Sequence, residues 1–157
     1  MVSRFDRRKI LSVHDQLARF RVAYPQFRSS VKKGTLVVEG DVRPTTRSVA
    51  YRVRIEYLAD EAPRVHVLSP KLEPREEGGF LPHVYPGDRL CLYLLGADEW
   101  TPEMSLAHTI VPWISEWLFF YETWRVLGVW LGGGVEPRES KTVRKETKEK
   151  PYDGERN

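Results

Sequence analysis

The chain has 157 residues, 41% of them hydrophobic, which is enough for one domain whose core needs no disulfide staples. Its single cysteine, Cys91, excludes an internal disulfide and the paired thiolates of a structural zinc site, leaving a reactive thiol or a buried small hydrophobe. The net charge of +3 is uneven: residues 1–33 hold nine Lys/Arg against two Asp/Glu, residues 34–135 nine against fourteen, and residues 136–157 seven against six. An acidic partner is therefore expected at the N-terminus, and no zinc-finger spacing or RNA-binding aromatic motif points to nucleic acid. No charged-then-apolar leader opens the sequence, and the most apolar run, 110–121, is interrupted by Pro112, Ser115 and Glu116. The expectation is a cytoplasmic protein without a membrane span.

Ile10, Val13, Leu17, Phe20 and Tyr24 recur in steps of three and four, which predicts an amphipathic helix from an N-cap at Ser3 to Pro25. Arg7, Arg8 and Lys9 belong to its basic surface and are candidate partner-binding residues as a cluster; singly, each reads as a solvated position. Strands follow. Leu36, Val38 and Val42 alternate with polar neighbours, as do Val49, Tyr51, Val53, Ile55 and Tyr57, and residues 64–68 form a third run. Gly40, Pro44, Asp60 and Pro63 are read as loop residues between them, giving an antiparallel meander of about four strands.

After Pro70 the chain carries Pro74, Gly78, Gly79, Pro82, Pro86 and Gly87, an irregular stretch of the kind that often bears function. Leu106, Ile110, Trp113, Trp117, Tyr121 and Trp124 then predict a helix over 105–127, kinked by Pro112 or made regular after it. Most of these aromatics read as core, although Trp113 and Trp117 are also candidates for a partner surface. Gly132–Gly134 read as a helix stop and hinge, and the charged run after them as a disordered tail, so the domain is expected to span 1–134 and the tail 135–157. The architecture expected is α+β.

Cys91 closes the irregular stretch. A free thiol is ionised only to a few per cent at neutral pH, and Arg89, two residues earlier, would favour the thiolate if both side chains share a face. His83 lies across a turn centred on Pro86 and Gly87, in reach of the same reacting centre as an oxyanion donor or a general base. Asp98 and Glu99 are candidates to orient or deprotonate an incoming amine, against the simpler reading of a solvent-facing acidic turn.

The run Val84-Tyr85-Pro86-Gly87-Asp88-Arg89-Leu90-Cys91-Leu92, followed by Trp100-Thr101-Pro102 and a helix opening at Ser105, resembles the active-site segment of ubiquitin-conjugating enzymes. In that family a His-Pro-Asn motif precedes the catalytic Cys and a Trp-Ser/Thr-Pro motif follows it. Pro82 matches the motif's Pro, whereas Leu81 stands at its His and His83 at its Asn, the residue held to stabilise the oxyanion. Pro112-Trp113, Glu116-Trp117-Leu118, Tyr121-Glu122 and Trp130-Leu131-Gly132-Gly133-Gly134 are similar to the bacterial branch found in type II (short) CBASS antiphage operons.

That resemblance implies a ubiquitin-conjugating-enzyme-like fold with an active-site loop, and catalysis by Cys91 with His83, supported by Arg89, Asp98, Glu99 and Trp100. The partner it implies is a cGAS-like cyclic-nucleotide synthase, whose C-terminus Cys91 would carry as a thioester and pass to an amine, with or without a separate activating enzyme. Neither a cofactor nor a metal is expected. The alternatives from other classes are a silent scaffold that binds the synthase and a Cys/His deconjugating hydrolase, which would turn over its ester or amide instead of holding it.

Overall fold

The computed structural model describes residues 9–137. Ser3, Arg7, Arg8 and the tail beyond Pro137, all singled out above, lie outside the described residues.

The first helix, α1, runs Val13–Ala23 and begins later than its apolar periodicity predicts. Ser12 and Asp15 explain the start. The Asp15 amide donates to Ser12 Oγ (3.1 Å) and the Ser12 amide to Asp15 Oδ2 (2.9 Å), a reciprocal cap that satisfies two otherwise orphaned donors. These bonds hold the Asp15 carboxyl below its ordinary pKa. Ile10, assigned above to the buried stripe, precedes the cap and is 57% exposed. The chain ahead of the helix is tied down by the Leu11 amide, which donates to the Pro102 carbonyl at 3.0 Å.

Four antiparallel strands follow in meander order: β1 Arg28–Lys32, β2 Thr35–Val42, β3 Tyr51–Leu58 and β4 Arg64–Ser69. Lys32 pairs with Thr35, so β1 and β2 join through Lys33-Gly34 alone, both at positive φ (49° and 78°). This is the two-residue hairpin geometry whose twist matches the flanking strands. Leu36, Val38, Tyr51, Val53, Ile55, Tyr57 and Val65 are buried, whereas Glu39–Arg54 and Asp41–Arg52 pair on the other face.

Gly40 is not a loop residue. It sits within β2 opposite Val53, in the buried register, and a Cβ there would fall 2.2 Å from the Phe27 ring. The absent side chain is the space that Phe27 fills, itself stacked on Tyr24 with centroids 5.0 Å apart. Val49, by contrast, precedes β3 and is exposed.

The long helix α2, Leu106–Leu127, packs Leu106, Ile110, Ile114 and Leu118 into the core. Pro112 lies inside it, on the exposed side, and the helix is continuous through it. The stop is Gly128, left-handed at φ 80°, whose amide donates to the Trp124 carbonyl (2.8 Å). Two polar clamps fix α2. Gln16, with no exposed surface, donates to the Met104 carbonyl (2.8 Å) and accepts from the Leu106 amide (2.9 Å), joining α1 to the start of α2. Glu122 accepts from Ser48 Oγ (2.7 Å) and the Tyr51 hydroxyl (2.9 Å), joining α2 to β3. No helix among the described residues is long and apolar enough to cross a membrane.

Candidate active site

The cysteine is carried by a miniature hairpin, β5 Val84–Tyr85 and β6 Arg89–Leu90. Pro86-Gly87-Asp88 forms its turn, with Gly87 and Asp88 both at positive φ. One further bond continues the pairing: the Cys91 amide donates to the His83 carbonyl at 2.9 Å. The turn therefore brings His83 and Cys91 opposite each other, as the sequence spacing anticipates.

His83 is a junction. Its carbonyl accepts from Cys91 and also from the Trp117 indole N–H (3.1 Å), and its own amide donates to Glu136 Oε2 (2.9 Å). Its ring stacks on Trp130 with centroids 4.7 Å apart, and Nε2 lies 3.8 Å from Glu136 Oε2. The backbone at His83 is left-handed (φ 49°), a conformation costly for a non-glycine residue and held here by bonds at both of its backbone polar groups.

Cys91 opens onto a cleft of about 330 Å³. Trp113, Trp117, Phe120 and Trp130 line it, with His83 and the Gly132–Gly134 segment. These glycines do not end the ordered structure: they form part of the cleft. A Cβ at Gly132 would lie 2.6 Å from Phe120 and 2.8 Å from the Trp130 indole nitrogen, and Gly133 and Gly134 both have positive φ. Glu136, assigned by sequence to the tail, is bound to His83 and belongs to the folded unit.

The thiol is half-buried, and burial is the main reason its pKa is raised. The nearby Tyr85 hydroxyl, which donates to the Tyr93 carbonyl at 3.4 Å, and the Arg89 charge pull it down, while Glu136 and Glu99 push it up. Arg89 is drawn instead over the Tyr85 ring, 4.4 Å from the centroid, so the expected activation by Arg89 is a minor influence. Sγ also donates to the Tyr93 carbonyl at 3.6 Å. A raised pKa keeps Cys91 protonated at neutral pH. Alkylation by iodoacetamide is accordingly expected to be slower than that of free cysteine at pH 7.5 and still rising above about pH 8.5, where an ordinary thiol is half ionised. A rate that plateaus below that pH would contradict this reading of the site.

The other candidates divide. Glu99 lines the cleft, but its Oε2 accepts from the Leu94 amide (2.7 Å); Asp98 is exposed at φ 54° and does not line it. Trp100 is 8% exposed and packs edge-on to Tyr57, a core anchor beneath the segment. Trp117 is 4% exposed, which makes it a wall of the cleft, not an outward docking residue. Trp113 is half-buried against Tyr93, and Lys9 is exposed just ahead of the Leu11–Pro102 tie. Tyr85 and Trp130 entered the sequence reading only as parts of matched segments, without a role of their own, and Glu136 only as part of the tail. A tyrosine beside a proline turn and a tryptophan after a helix stop carry no functional pattern of their own, and only the fold brings them to Cys91.

A helix, a four-stranded antiparallel meander, a hairpin carrying a lone cysteine and a long C-terminal helix, in that order, make up the arrangement expected of an E2-like protein. Residues 16–137 match the family described as type II CBASS E2 protein, and the chain belongs to that family. No curated protein matches it.

Proposed function

We propose that the protein is a ubiquitin-conjugating-type acyltransferase in which Cys91 carries the C-terminus of a partner protein as a thioester and passes it to an amine. Membership of the type II CBASS E2 family supports a cGAS-like cyclic-nucleotide synthase as that partner, and transfer would prime its signalling. The observation that carries the reading is the pairing of Cys91 with His83 at the mouth of an aromatic cleft.

Loading from any acyl donor goes through the Cys91 thiolate, and burial disfavours that anion, so acylation requires that the thiol's proton be removed as the donor arrives. In the transfer step the nitrogen attacks the thioester carbonyl, the carbonyl oxygen gathers negative charge, and a donor facing the cleft stabilises it. His83 is the residue proposed for that role, with Trp130 holding its ring by stacking. Lys9 and Trp113, together with Arg7 and Arg8, are proposed to meet the partner.

Replacing Cys91 by serine tests the assignment. Co-expressed with the synthase, Cys91→Ser is expected to accumulate an oxygen ester that survives thiol reductant and is cleaved by mild alkali, while Cys91→Ala forms none. A covalent adduct in the alanine variant would sink the proposal.

A further inference from the structure

We propose that Glu136 is the carboxylate that holds the attacking amine beside the Cys91 thioester and takes its proton. This rests on the transfer reading above and adds to that reaction a residue that the sequence did not single out.

Three observations carry it. Glu136 Oε2 is engaged by the His83 amide, but Oε1 is buried with no hydrogen-bond partner among the described residues. A buried carboxylate oxygen left unsatisfied is costly, and its usual explanation is a partner that arrives with function. Second, His83 holds both ends of the site: its N–H binds Glu136 and its carbonyl accepts from Cys91, each at 2.9 Å. The carboxylate and the thiol are thus fixed on either side of one residue. Third, the approach to Cys91 suits an ammonium group. Aromatic faces line the cleft, its acidic lining residues are Glu99 and Glu116, and no lysine or arginine among the described residues lines it.

The segment delivering Glu136 is itself specified. Gly132 is pressed against Phe120 and Trp130, Gly133 and Gly134 take conformations that disfavour other residues, and Trp130 stacks on His83. The Glu136 charge is also felt at the Cys91 thiol more strongly than that of Arg89 or Glu99.

The chemistry balances without a further reactant. An alkylammonium gives one N–H proton to Glu136 Oε1, and the freed lone pair attacks the thioester carbonyl to form the N–C bond. Collapse of the tetrahedral intermediate breaks the C–S bond, and the electron pair leaves on Sγ, which takes the second nitrogen-bound proton. The third hydrogen stays on the new amide, and Glu136 returns its proton to water.

The test loads the full chain at Cys91 with a short peptide α-thioester, removes excess, and chases with free lysine or with hydroxylamine, an amine already unprotonated at neutral pH. Acid-quenched intact mass follows both loading and discharge. Glu136→Gln is expected to load like the native protein but to discharge to lysine at least about tenfold more slowly, within the range for loss of a general base. Hydroxylamine discharge should stay within about twofold of native, and Glu136→Asp should recover part of the lysine rate. Unchanged lysine discharge in Glu136→Gln overturns the proposal, as does an equal fall with both nucleophiles, which would mean that Glu136 only braces His83. Failure of the native protein to load would refute the transfer reading itself, and this proposal with it.

Discussion

A Gln16→Ala variant is expected to unfold at a much lower urea concentration than the native protein, with about 2–5 kcal/mol of stability lost and little change in the slope of the transition. The magnitude follows from what the substitution strands. Gln16 has no exposed surface, and its amide satisfies the Met104 carbonyl and the Leu106 amide, groups at the entry to α2. A backbone polar group deprived of its partner away from water costs about 1–3 kcal/mol, and two are left here. Ser105 adds no side-chain cap of its own, so the first turn of α2 has no local substitute for Gln16. Tryptophan fluorescence during urea unfolding measures the loss; a change below about 1 kcal/mol would mean that water replaces the side chain at both sites.

Gly40→Ala is the second large effect, expected at about 3 kcal/mol, the upper part of the range for forcing a methyl group into a packed interior. The new Cβ would clash with the Phe27 ring, with three ring atoms between 2.2 and 2.5 Å away. Phe27 cannot simply turn aside, because Tyr24 stacks against it and the ring is buried. Either β2 bends away from β1 or Phe27 leaves the core. Thermal unfolding tests this. Gly87→Ala is the comparison: nothing stands within 4 Å of its Cβ, so only the strain of its positive φ, about 1–2 kcal/mol, should be felt.

Gly40 also marks a limit of what could be read from the chain. The alternation in β2 and β3 and the wide aromatic face of α2 are legible because burial on one face imposes a period on the residues. Gly40 occupies an inward position of that period, but the side chain filling the space is Phe27, thirteen residues earlier, so the position looks like a break. The strand β1, Arg-Ser-Ser-Val-Lys, has no apolar alternation; it forms because Lys33-Gly34 folds it onto β2. At α1 the apolar spacing continues back to Ile10, yet the Ser12–Asp15 cap begins the helix after it.

The site divides along the same line. Residues close in sequence were legible: Pro86-Gly87-Asp88 predicts the turn that sets His83 against Cys91. Trp130 and Glu136 were not, because their partner His83 lies about fifty residues away and the glycines between them read as a terminator. Arg89 favours the thiolate as its position suggests, but weakly. Sequence proximity suggested an activated thiolate, but the guanidinium stacks on Tyr85 and burial decides the thiol's protonation.

The central claim is that Cys91 holds a partner's C-terminus as a thioester. Intact mass spectrometry of the protein co-expressed with a cGAS-like synthase, quenched in acid and divided into samples with and without thiol reductant, tests it most directly. The account predicts an added mass equal to the synthase chain less one water, removed by reductant and absent from Cys91→Ala. A complex that forms equally in both proteins without any covalent mass, with a ubiquitin-activating-type enzyme also supplied, would contradict it.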